Sequence, residues 1–399
     1  MNDFALIAFS IGSFWVAYTY VGYPILLWFI GLRSSVRPAR RKDFLPTVSV
    51  LIAARNEEHD IEWKVSETLA WDYPPERLHI FVASDASEDR TDEILAGIQN
   101  ARVTFVRMEK RGGKGRALNR LAELACGEIF FFTDANAHIA PDILRKMVSH
   151  FADPRVGCVT GGTQPFGTNA NAIGGGASAF LSFESILYRL ESRLGSVLAC
   201  DGAIFCIRRS LYAPLSPELA NDLELPLRIH HKGFWVLHEP EAVVRELDTS
   251  SPREEFARRR RISAQGMLAM WRLRANLRRM RAWQFLSHKL LRYLTLVPLL
   301  LILLAALLRA QQPFFAALLA LQAVFYAAAF YGFVSTLMRW RSGKFTAAPF
   351  YIIFGSLGAL VGILDACRGR RFDVWEIPKM SRGGAVCPPV APFRGIPGS

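Results

Sequence analysis

The apolar residues of this 399-residue chain are concentrated at its two ends, and this distribution constrains the fold more than any other feature. The segment Phe4–Leu32 and most of Leu290–Cys367 are apolar, whereas the middle of the chain has the composition of a water-soluble α/β domain. A run of about 20 apolar residues is long enough to cross a bilayer. The first segment carries no charge between Asp3 and Arg33 and is too long for the core of a signal peptide, so we expect a retained membrane helix.

The basic residues lie next to these apolar segments. The net charge is +13, and the arginines and lysines cluster at 33–42, after the first segment, and at 258–281, before the second. This placement favours anionic membrane lipids over nucleic acid as the basic chain's partner. Six scattered cysteines show no metal-binding spacing, and a disulfide framework is not expected in a cytosolic domain of this size.

These patterns divide the chain into five predicted segments. They are an N-terminal transmembrane helix (1–32), a cytosolic α/β domain (33–266), an amphipathic interfacial helix (267–289), about three membrane spans (290–367) and a tail (368–399) that is basic and then rich in Pro and Gly. The interfacial helix is predicted because Met270, Leu273 and Leu277 share one helical face while arginines surround them. A core helix with a solvated basic face is the alternative.

The charge pattern leaves one conflict about topology. The positive-inside rule places residues 33–42, the domain and the segment 339–344 ("RWRSGK") in the cytoplasm, which for a bacterial chain means the inner side of the cell membrane. Three crossings after the domain would leave Arg368, Arg370 and Arg371 outside, against the rule. One C-terminal span is then re-entrant or interfacial, and the sequence does not identify it.

Within the middle domain, short β-branched or aromatic runs alternate with helical periodicity. Strands are predicted near residues 47–54, 78–84, 101–107 and 128–133, with a helix after each of the first three. This alternation predicts a mostly parallel sheet with helices on both faces. Ligands of such sheets bind beyond the carboxyl ends of the strands, so the loops at 53–57, 84–91, 110–114 and 134–138 are candidate binding loops.

Each loop carries side chains suited to a phosphate or a hard cation, and each also has a structural interpretation. In "TDAN", Asp134 and Asn136 offer oxygen ligands for Mg²⁺ or Mn²⁺, although Asp and Asn are also common turn residues. Asp85 ends another strand, and the glycines before Lys114 allow a close approach to phosphate or simply form a basic turn. Asp222 begins a predicted helix, where an acid complements the helix dipole or acts as a general base.

Taken together and in this order, the motifs resemble those of the family-2 inverting glycosyltransferases with the GT-A fold. The resemblance spans about Pro46 to Gly266 and rests on six blocks: "VSVLIAARNEE", "VASDASEDRT", "RGGKGRALN", "FFTDAN", "DGAIFCIRRSLY" and "NDLELPLRIHHKGFWV". It implies an α/β GT-A domain flanked by transmembrane helices, in a membrane-bound enzyme of cell-envelope glycan or exopolysaccharide synthesis.

The resemblance also implies a role for each loop. The implied nucleotide-binding residues are Ala53, Arg55, Glu57, Asp85 and Lys114. Asp134 and Asn136 occupy the metal-binding DxD position, and the implied ion is Mg²⁺ or Mn²⁺. Asp201, Gly202 and Ala203 lie beside the donor sugar. Asp222 is the implied catalytic base, and the arginines Arg258, Arg259, Arg260 and Arg261 are candidate contacts of a phosphate or of the acceptor.

Two departures from the family pattern bear on the function. Asn136 replaces the usual second acid of the DxD block. Counting back from Gly266, Arg259 and Ser263 stand where processive members carry the Gln and Trp of a Gln-x-x-Arg-Trp block, which favours a single transfer. We therefore expect transfer of a hexosyl or N-acetylhexosaminyl group from a UDP-sugar to a lipid-linked or membrane-proximal saccharide.

Other functions remain open at this point. Within the family they are a processive polysaccharide synthase and a polyprenyl-phosphate sugar transferase. Outside it, a nucleotidyltransferase would need a glycine-rich first loop, which "LIAARNEE" lacks. A membrane scaffold without catalytic activity would account for the apolar spans but not for the acids at successive strand ends.

Overall fold

The computed structural model describes residues 2–166, 172–247, 251–274, 279–338, 340 and 342–372. The segments at 167–171, 248–250 and 275–278, Arg339 and Arg341 of the basic loop, and the predicted tail (368–399) from residue 373 onward lie outside the described residues.

The N-terminal half of the domain alternates strands and helices as the sequence predicts. Its elements are β1 (Val48–Ala54), α3 (Ile61–Leu69), β2 (Leu78–Ser84), α4 (Thr91–Gly97), β3 (Val103–Arg107), α5 (Lys114–Leu124) and β4 (Ile129–Asp134). The apolar sequences of the two central strands match their burial: β1 is buried along its whole length and β4 from Ile129 to Thr133.

The second half of the domain is less regular and supplies the rest of the sheet. Its elements are β5 (His138–Ile139), α6 (Ile143–Val148), β6 (Val156–Phe166), α7 (Ala172–Ser192), β7 (Ile204–Arg208), α8 (Asn221–His231), β8 (Trp235–Leu247) and α9 (Pro252–Leu273). The boundary predicted between residues 266 and 267 falls inside α9, because helix-forming residues continue without a break through "RRRRISAQGMLAM".

All eight strands belong to one sheet of order β3-β2-β1-β4-β7-β6-β8-β5. The ladders among β1 to β4 and between β6 and β8 are parallel, and those of β7 with β4 and β6, and of β5 with β8, are antiparallel. The predicted α/β class is therefore confirmed, with a mixed sheet in place of a mostly parallel one. The difference arises because β7 and β8 pair with strands far away in the chain, which local periodicity does not encode.

Two apolar cores cover the two faces of the sheet. One contains Val50, Ile52 and Phe131 with the inner faces of α3 and α6, and the other contains Leu51, Phe130 and Phe132 with α5 and α8. Ala135 and Ala137, in the loop after β4, belong to the first core, so the packing reaches the carboxyl ends of the parallel strands.

The apolar ends of the chain form helices around the domain. They are α1 (Asn2–Ala17) and α2 (Tyr23–Arg33), joined by a π-helical turn, followed after the domain by α10 (Arg279–Gln284), α11 (Leu291–Tyr293), α12 (Leu296–Leu308), α13 (Pro313–Leu337) and α14 (Lys344–Cys367). Three described helices are long and apolar enough to span a membrane, namely Asp3–Arg33, Pro313–Leu337 and Lys344–Cys367. A fourth candidate is the pair Arg279–Tyr293 and Leu296–Leu308, which is bent by 58°.

Candidate active site

The predicted binding loops begin at adjacent points of one sheet edge. In the parallel register, Ala53 of β1 lies opposite both Ala83 of β2 and Asp134 of β4. The residues that follow these strands are therefore close in space. Four of the predicted loops converge here because parallel strands present their carboxyl ends on the same side.

The first loop, after β1, holds the second loop in place. The Arg55 guanidinium donates to the carbonyls of Asp85 and Ala86 at 2.7 and 2.6 Å and to Glu88 Oε1 at 2.7 Å. The backbone amide of Glu57 donates to Thr91 Oγ1 at 2.7 Å. Arg55 and Glu57 were predicted to bind nucleotide, and the contacts found here position the loop that carries Asp85.

Asp85 joins the second loop to the glycine-lysine loop. It is fully buried, and its two carboxylate oxygens accept hydrogen bonds from the amides of Gly112 and Gly113 at 2.6 and 2.9 Å. Gly113 has a φ of 83°, which favours glycine, and it directly precedes α5. Each carboxylate oxygen retains a second lone pair, so Asp85 can still accept a hydrogen bond from a nucleotide base.

Lys114 connects the glycine-lysine loop to both halves of the site. Its ammonium donates to Asp134 Oδ1 at 2.5 Å and to the carbonyl of Gly202 at 3.2 Å. The predicted nucleotide, metal and donor-sugar residues are therefore in contact around one cation. Asn136, the second predicted metal ligand, is exposed at the end of the same loop as Asp134.

Asp201 holds the backbone that surrounds the predicted donor-sugar position. Its carboxylate accepts hydrogen bonds from the amide and the hydroxyl of Thr163 at 2.7 and 2.9 Å and from the amide of Ala203 at 3.1 Å. Burial raises the pKa of Asp201, and these hydrogen bonds oppose the rise. The turn that carries Gly202 is thereby fixed against β6.

Asp222, the predicted base, faces this turn from the first turn of α8. A β-carbon added to Gly202 would lie 3.2 Å from Asp222 Oδ2, and the Asp222 carbonyl accepts the amide of Cys200 at 2.7 Å. Burial raises the pKa of Asp222, while the positive charges of Lys114, Lys289 and Arg261 oppose this rise. A carboxylate with a raised pKa is a stronger proton acceptor than an exposed one.

The four consecutive arginines of α9 have different partners. Arg259 pairs with Glu255 at 2.7 Å and stacks on Phe180, and Arg260 pairs with Asp365 of α14. Arg261 is the member whose charge acts on Asp222, and Arg258 acts on Glu246. The four residues therefore do not form one phosphate cluster, and Arg259 and Arg260 join α9 to neighbouring helices.

Two charged residues near the site are absent from the sequence prediction. Lys64 of α3 is fully buried and donates to the carbonyl of Ala137, just after the predicted metal ligands, at 2.5 Å. Burial lowers the pKa of Lys64 to about 8. Its position between Ile61 and Thr68 on the buried face of α3 was a signal that it is not a solvated lysine.

Glu246 is the second such residue, near the end of β8. Burial and the neighbouring Asp134 carboxylate raise the pKa of Glu246 to about 7. The alternation of side chains along β8 could have predicted that Glu246 is buried, since Ala242 and Val244 face the core and Glu246 follows them with the same period.

A divalent cation fits this donor set only together with phosphate. Among the described residues, no group of three His, Cys, Asp or Glu side chains is arranged to hold a metal ion. Asp134 contributes one carboxylate and already binds one cationic group, the Lys114 ammonium. Mg²⁺ is commonly bound by one or two carboxylates plus substrate phosphates and water, and Asp134 with Asn136 satisfies that requirement.

Comparison with known proteins identifies the domain. The model of the family "Glycosyl transferase family 2" matches residues 49–214. The beta-monoglucosyldiacylglycerol synthase of Trichormus variabilis is 29% identical over 194 residues, which are 47% of this chain and 42% of that protein. An N-acetylglucosaminyltransferase of Rhizobium meliloti is 26% identical over 236 residues, covering 52% of this chain and 53% of that protein. The chain thus spans about half the length of these curated relatives.

A solved structure matches over a larger share of the chain. A mannosyltransferase from Pyrobaculum calidifontis, solved in complex with GDP-Man and Mn²⁺, superposes with a TM-score of 0.68 at 24% identity and covers 88% of this chain and 99% of its own. This similarity establishes the GT-A fold. The match over residues 49–214 shows that the chain contains a glycosyl transferase family 2 domain.

Proposed function

We propose that the protein is a membrane-associated, metal-dependent inverting glycosyltransferase. It transfers a hexosyl or N-acetylhexosaminyl group from a nucleotide-diphosphate sugar, which we expect to be a UDP-sugar, to a lipid-linked or membrane-proximal saccharide acceptor. The proposed setting is the cytoplasmic face of a bacterial cell membrane, in the synthesis of cell-envelope glycans.

One observation carries this proposal: an unbroken series of contacts joins the residues expected to act on the three parts of a nucleotide sugar. Asp85 binds the glycine-lysine loop, Lys114 of that loop binds Asp134 and Gly202, and Gly202 lies against Asp222. A base, a diphosphate and an anomeric carbon arranged in a row would meet these residues in the same order. A membrane scaffold would have no reason to gather these charges.

The chain's own residues support a single displacement. The Asp222 carboxylate takes the proton from an acceptor hydroxyl as that oxygen attacks the anomeric carbon. The bond between this carbon and the phosphate oxygen breaks, and the nucleoside diphosphate leaves. Lys114 is placed to neutralise the departing phosphate, and a bound Mg²⁺ or Mn²⁺ at Asp134 and Asn136 would add electrostatic stabilisation there.

Two findings support a lipid-linked acceptor. One relative bears the name of an enzyme that makes a glucosylated diacylglycerol, so a family member of similar sequence acts on a lipid. In this chain, Tyr293 of α11, shortly before the apolar helix α12, lies beside Gly266 of α9, and Gly266 is next to Leu223 of α8. Gly266 therefore lies between Tyr293 and Leu223, the residue after the predicted base.

The environment of Ser263 supports a single transfer over processive synthesis. Ser263 is fully buried, and its hydroxyl donates to the carbonyls of Arg259 and Arg260. A β-carbon added to Gly362 of α14 would overlap the Ser263 hydroxyl and the Arg260 carbonyl. The position that aligns with the tryptophan of processive members therefore faces a closely packed helix and not the site.

Nucleotide binding tests the proposal directly. Isothermal titration of the detergent-solubilised protein with UDP should show binding that Mn²⁺ strengthens, and GDP serves as the comparison because the matching mannosyltransferase was solved with GDP-Man. Tighter binding of GDP would correct the expected base. Binding of neither nucleotide, with or without Mn²⁺, would overturn the proposal.

A further inference from the structure

The contacts of α14 bear on how many times the chain crosses the membrane. We infer that α14 does not cross the bilayer but lies along its inner surface, wedged between the lipid and the catalytic domain. Its length and composition alone would qualify it as a transmembrane helix. The proposal is independent of which sugar or acceptor the enzyme uses.

The first half of α14 packs on α7, a helix of the catalytic domain. A β-carbon added to Gly175 would lie 3.1 Å from Ala347 Cβ, and one added to Gly176 would overlap Tyr351. Phe350 and Tyr351 belong to one buried apolar cluster with Ile173 of α7. Because α7 also carries Glu184, Arg189 and Glu191, it is not itself a helix of the bilayer core.

The second half of α14 packs on α9 at distances as short as those between its first half and α7. A β-carbon added to Gly358 would lie 3.1 Å from Arg259 Cβ, and Gly362 fits against the Arg260 backbone. Four consecutive arginines make it very unfavourable for α9 to lie within the hydrocarbon layer. A helix in contact with α9 along this stretch must therefore lie at the depth of the headgroups or above them.

Ion pairs and hydrogen bonds hold the end of α14 on the domain side. Asp365 pairs with Arg260 of α9, and Arg371 pairs with Glu218, in the loop before α8, at 2.6 Å. The Gln265 side chain donates to the carbonyl of Phe372 at 3.0 Å. A helix of 24 residues is about 36 Å long. A perpendicular crossing would carry its far end about a membrane thickness away from the domain, whereas both ends touch it.

The other apolar helices behave differently. Gly12 of the N-terminal helix packs on Ile302 of α12, and Phe9 packs on Phe314 and Phe315 at the start of α13, so these helices contact each other. The N-terminal helix and α13 are each 22% buried over an apolar stretch of 18 residues, against 39% for α14. The N-terminal helix, α13 and the bent pair that ends in α12 thus contact one another and account for three crossings. α13 also packs on the start of α14, where Gly332 lies against Phe350, but α14 alone of these helices continues along α7 and α9 of the domain.

Three crossings remove the conflict in the charge pattern. Starting outside, the N-terminal helix leads to an inner domain, α12 leads out, and α13 leads back in. The basic groups at 33–42, 339–344 and 368–371 then all lie on the inner side, as the positive-inside rule requires. The face of α14 that the described residues leave exposed, which includes Leu357 at 42% and Leu364 at 44% exposure, contacts the inner leaflet.

The accessibility of Cys367 at the end of α14 tests this arrangement. Cys367 and Cys126 of the catalytic domain are both exposed. Two variants are made: one keeps Cys367 and replaces Cys126 and Cys387 with serine, and the other keeps Cys126 and replaces Cys367 and Cys387 with serine. An impermeant maleimide is applied to sealed membrane vesicles of either orientation. Gln311→Cys, in the turn between α12 and α13, is the control for the far side.

We expect Cys367 to react in the same vesicles as Cys126 and to be protected where Gln311→Cys reacts. Reaction of Cys367 together with Gln311→Cys would overturn the proposal. Reporter fusions provide a second measurement if a cysteine variant does not fold or if Cys367 does not react in either orientation. Alkaline phosphatase fused after Ser399 should be inactive and a green fluorescent protein fused there should be fluorescent, and the opposite pair of results contradicts the inference.

Discussion

The two sides of the candidate site use their charged residues in different ways. On the nucleotide side, Arg55 and Asp85 are bonded to backbone groups of neighbouring loops and so build the surface they belong to. On the transfer side, Asp222 and Glu246 are acids whose pKa values burial raises. Glu246 lies near Asp134, which raises its pKa further, and cations act on both acids from neighbouring elements.

This contrast separates two ways in which a residue can matter to an enzyme. A carboxylate that satisfies buried amides stabilises the fold, and its loss leaves unpaired donors. A carboxylate held in a desolvated position destabilises the fold and is retained for its reactivity. Replacements on the two sides should therefore have opposite effects on stability, and the following predictions test that difference.

The largest effect is expected on the transfer side. Asp222→Asn should reduce turnover by about 10²–10⁴-fold, because removing a general base typically has an effect of that size. UDP affinity should be nearly unchanged, and the melting temperature should be unchanged or higher because a desolvated charge is removed. Single-turnover kinetics, titration with UDP and thermal unfolding measure the three quantities.

Glu224 provides the matched control two residues further along α8. Burial raises the pKa of Glu224 as well, but its carboxylate pairs with Arg228 and accepts hydrogen bonds from the amide and the hydroxyl of Ser216, and a glutamine cannot keep all of these contacts. Glu224→Gln should lower the melting temperature. If Asp222→Asn keeps its activity, or loses stability as Glu224→Gln does, the assignment of the base is wrong.

Lys114 lies between the two sides, and its loss should affect binding more than chemistry. Lys114→Gln removes a charged donor to phosphate, worth about 1.5–3 kcal/mol, so nucleotide affinity should fall by roughly 10–100-fold. Without nucleotide, Mn²⁺ should bind more tightly, since the ammonium no longer competes for Asp134. Electron paramagnetic resonance of Mn²⁺ measures this second effect, and unchanged Mn²⁺ affinity would show that the ion does not use Asp134.

On the nucleotide side, Asp85→Asn should reduce stability as well as nucleotide affinity. The carboxamide cannot accept from both Gly112 and Gly113, which leaves one buried amide unpaired and lowers the free energy of unfolding by about 1–3 kcal/mol. Asp43→Asn at the exposed Arg41–Asp43 pair is the control, and it should leave stability nearly unchanged because water and salt screen an exposed ion pair. Denaturant unfolding measures the stability of both variants. If Asp85→Asn is as stable as Asp43→Asn, the proposed stabilising role of Asp85 is wrong.

The smallest effect concerns pH. Because burial raises the pKa of Asp222, kcat/KM should be lost as the pH falls through a value above the ordinary aspartate pKa. Lys289→Gln removes a positive charge that opposes this rise, so the acidic limb of the pH–rate profile should move to higher pH. Lys232→Gln, at the exposed end of α8, is the control and should not change the pH at which activity is lost. A shift to lower pH for Lys289→Gln would contradict the electrostatic model.

The sequence predicted where the strands and loops of the proposed nucleotide side lie, because these elements form from local patterns. The strands from β1 to β4 appear within about two residues of their predicted positions, and Asp85, Lys114 and Asp134 follow from knowing where those strands end. Periodicity and turn residues act over a few residues, and a parallel sheet then brings the loops together.

The transfer side and the membrane helices depend on contacts that no local pattern contains. β7 pairs antiparallel with β4 and β6, and Arg260 meets Asp365 more than a hundred positions later in the chain. Composition predicts that α14 spans the membrane, and the inference that it lies along the membrane surface rests on its packing on α7 and α9. The buried Lys64 was missed because lysine is treated as a surface residue unless its helical face is examined.

Sugar transfer itself is the most direct test of the central claim that these loops hold a nucleotide sugar for attack. Membranes containing the protein are incubated with a panel of radiolabelled UDP-sugars and Mn²⁺ or Mg²⁺, and the label in the lipid extract is measured. The account predicts transfer from at least one donor that disappears with a chelator and with Asp222→Asn. Transfer that persists in the Asp222→Asn membranes, or no transfer from any nucleotide sugar to lipid or saccharide, would contradict it.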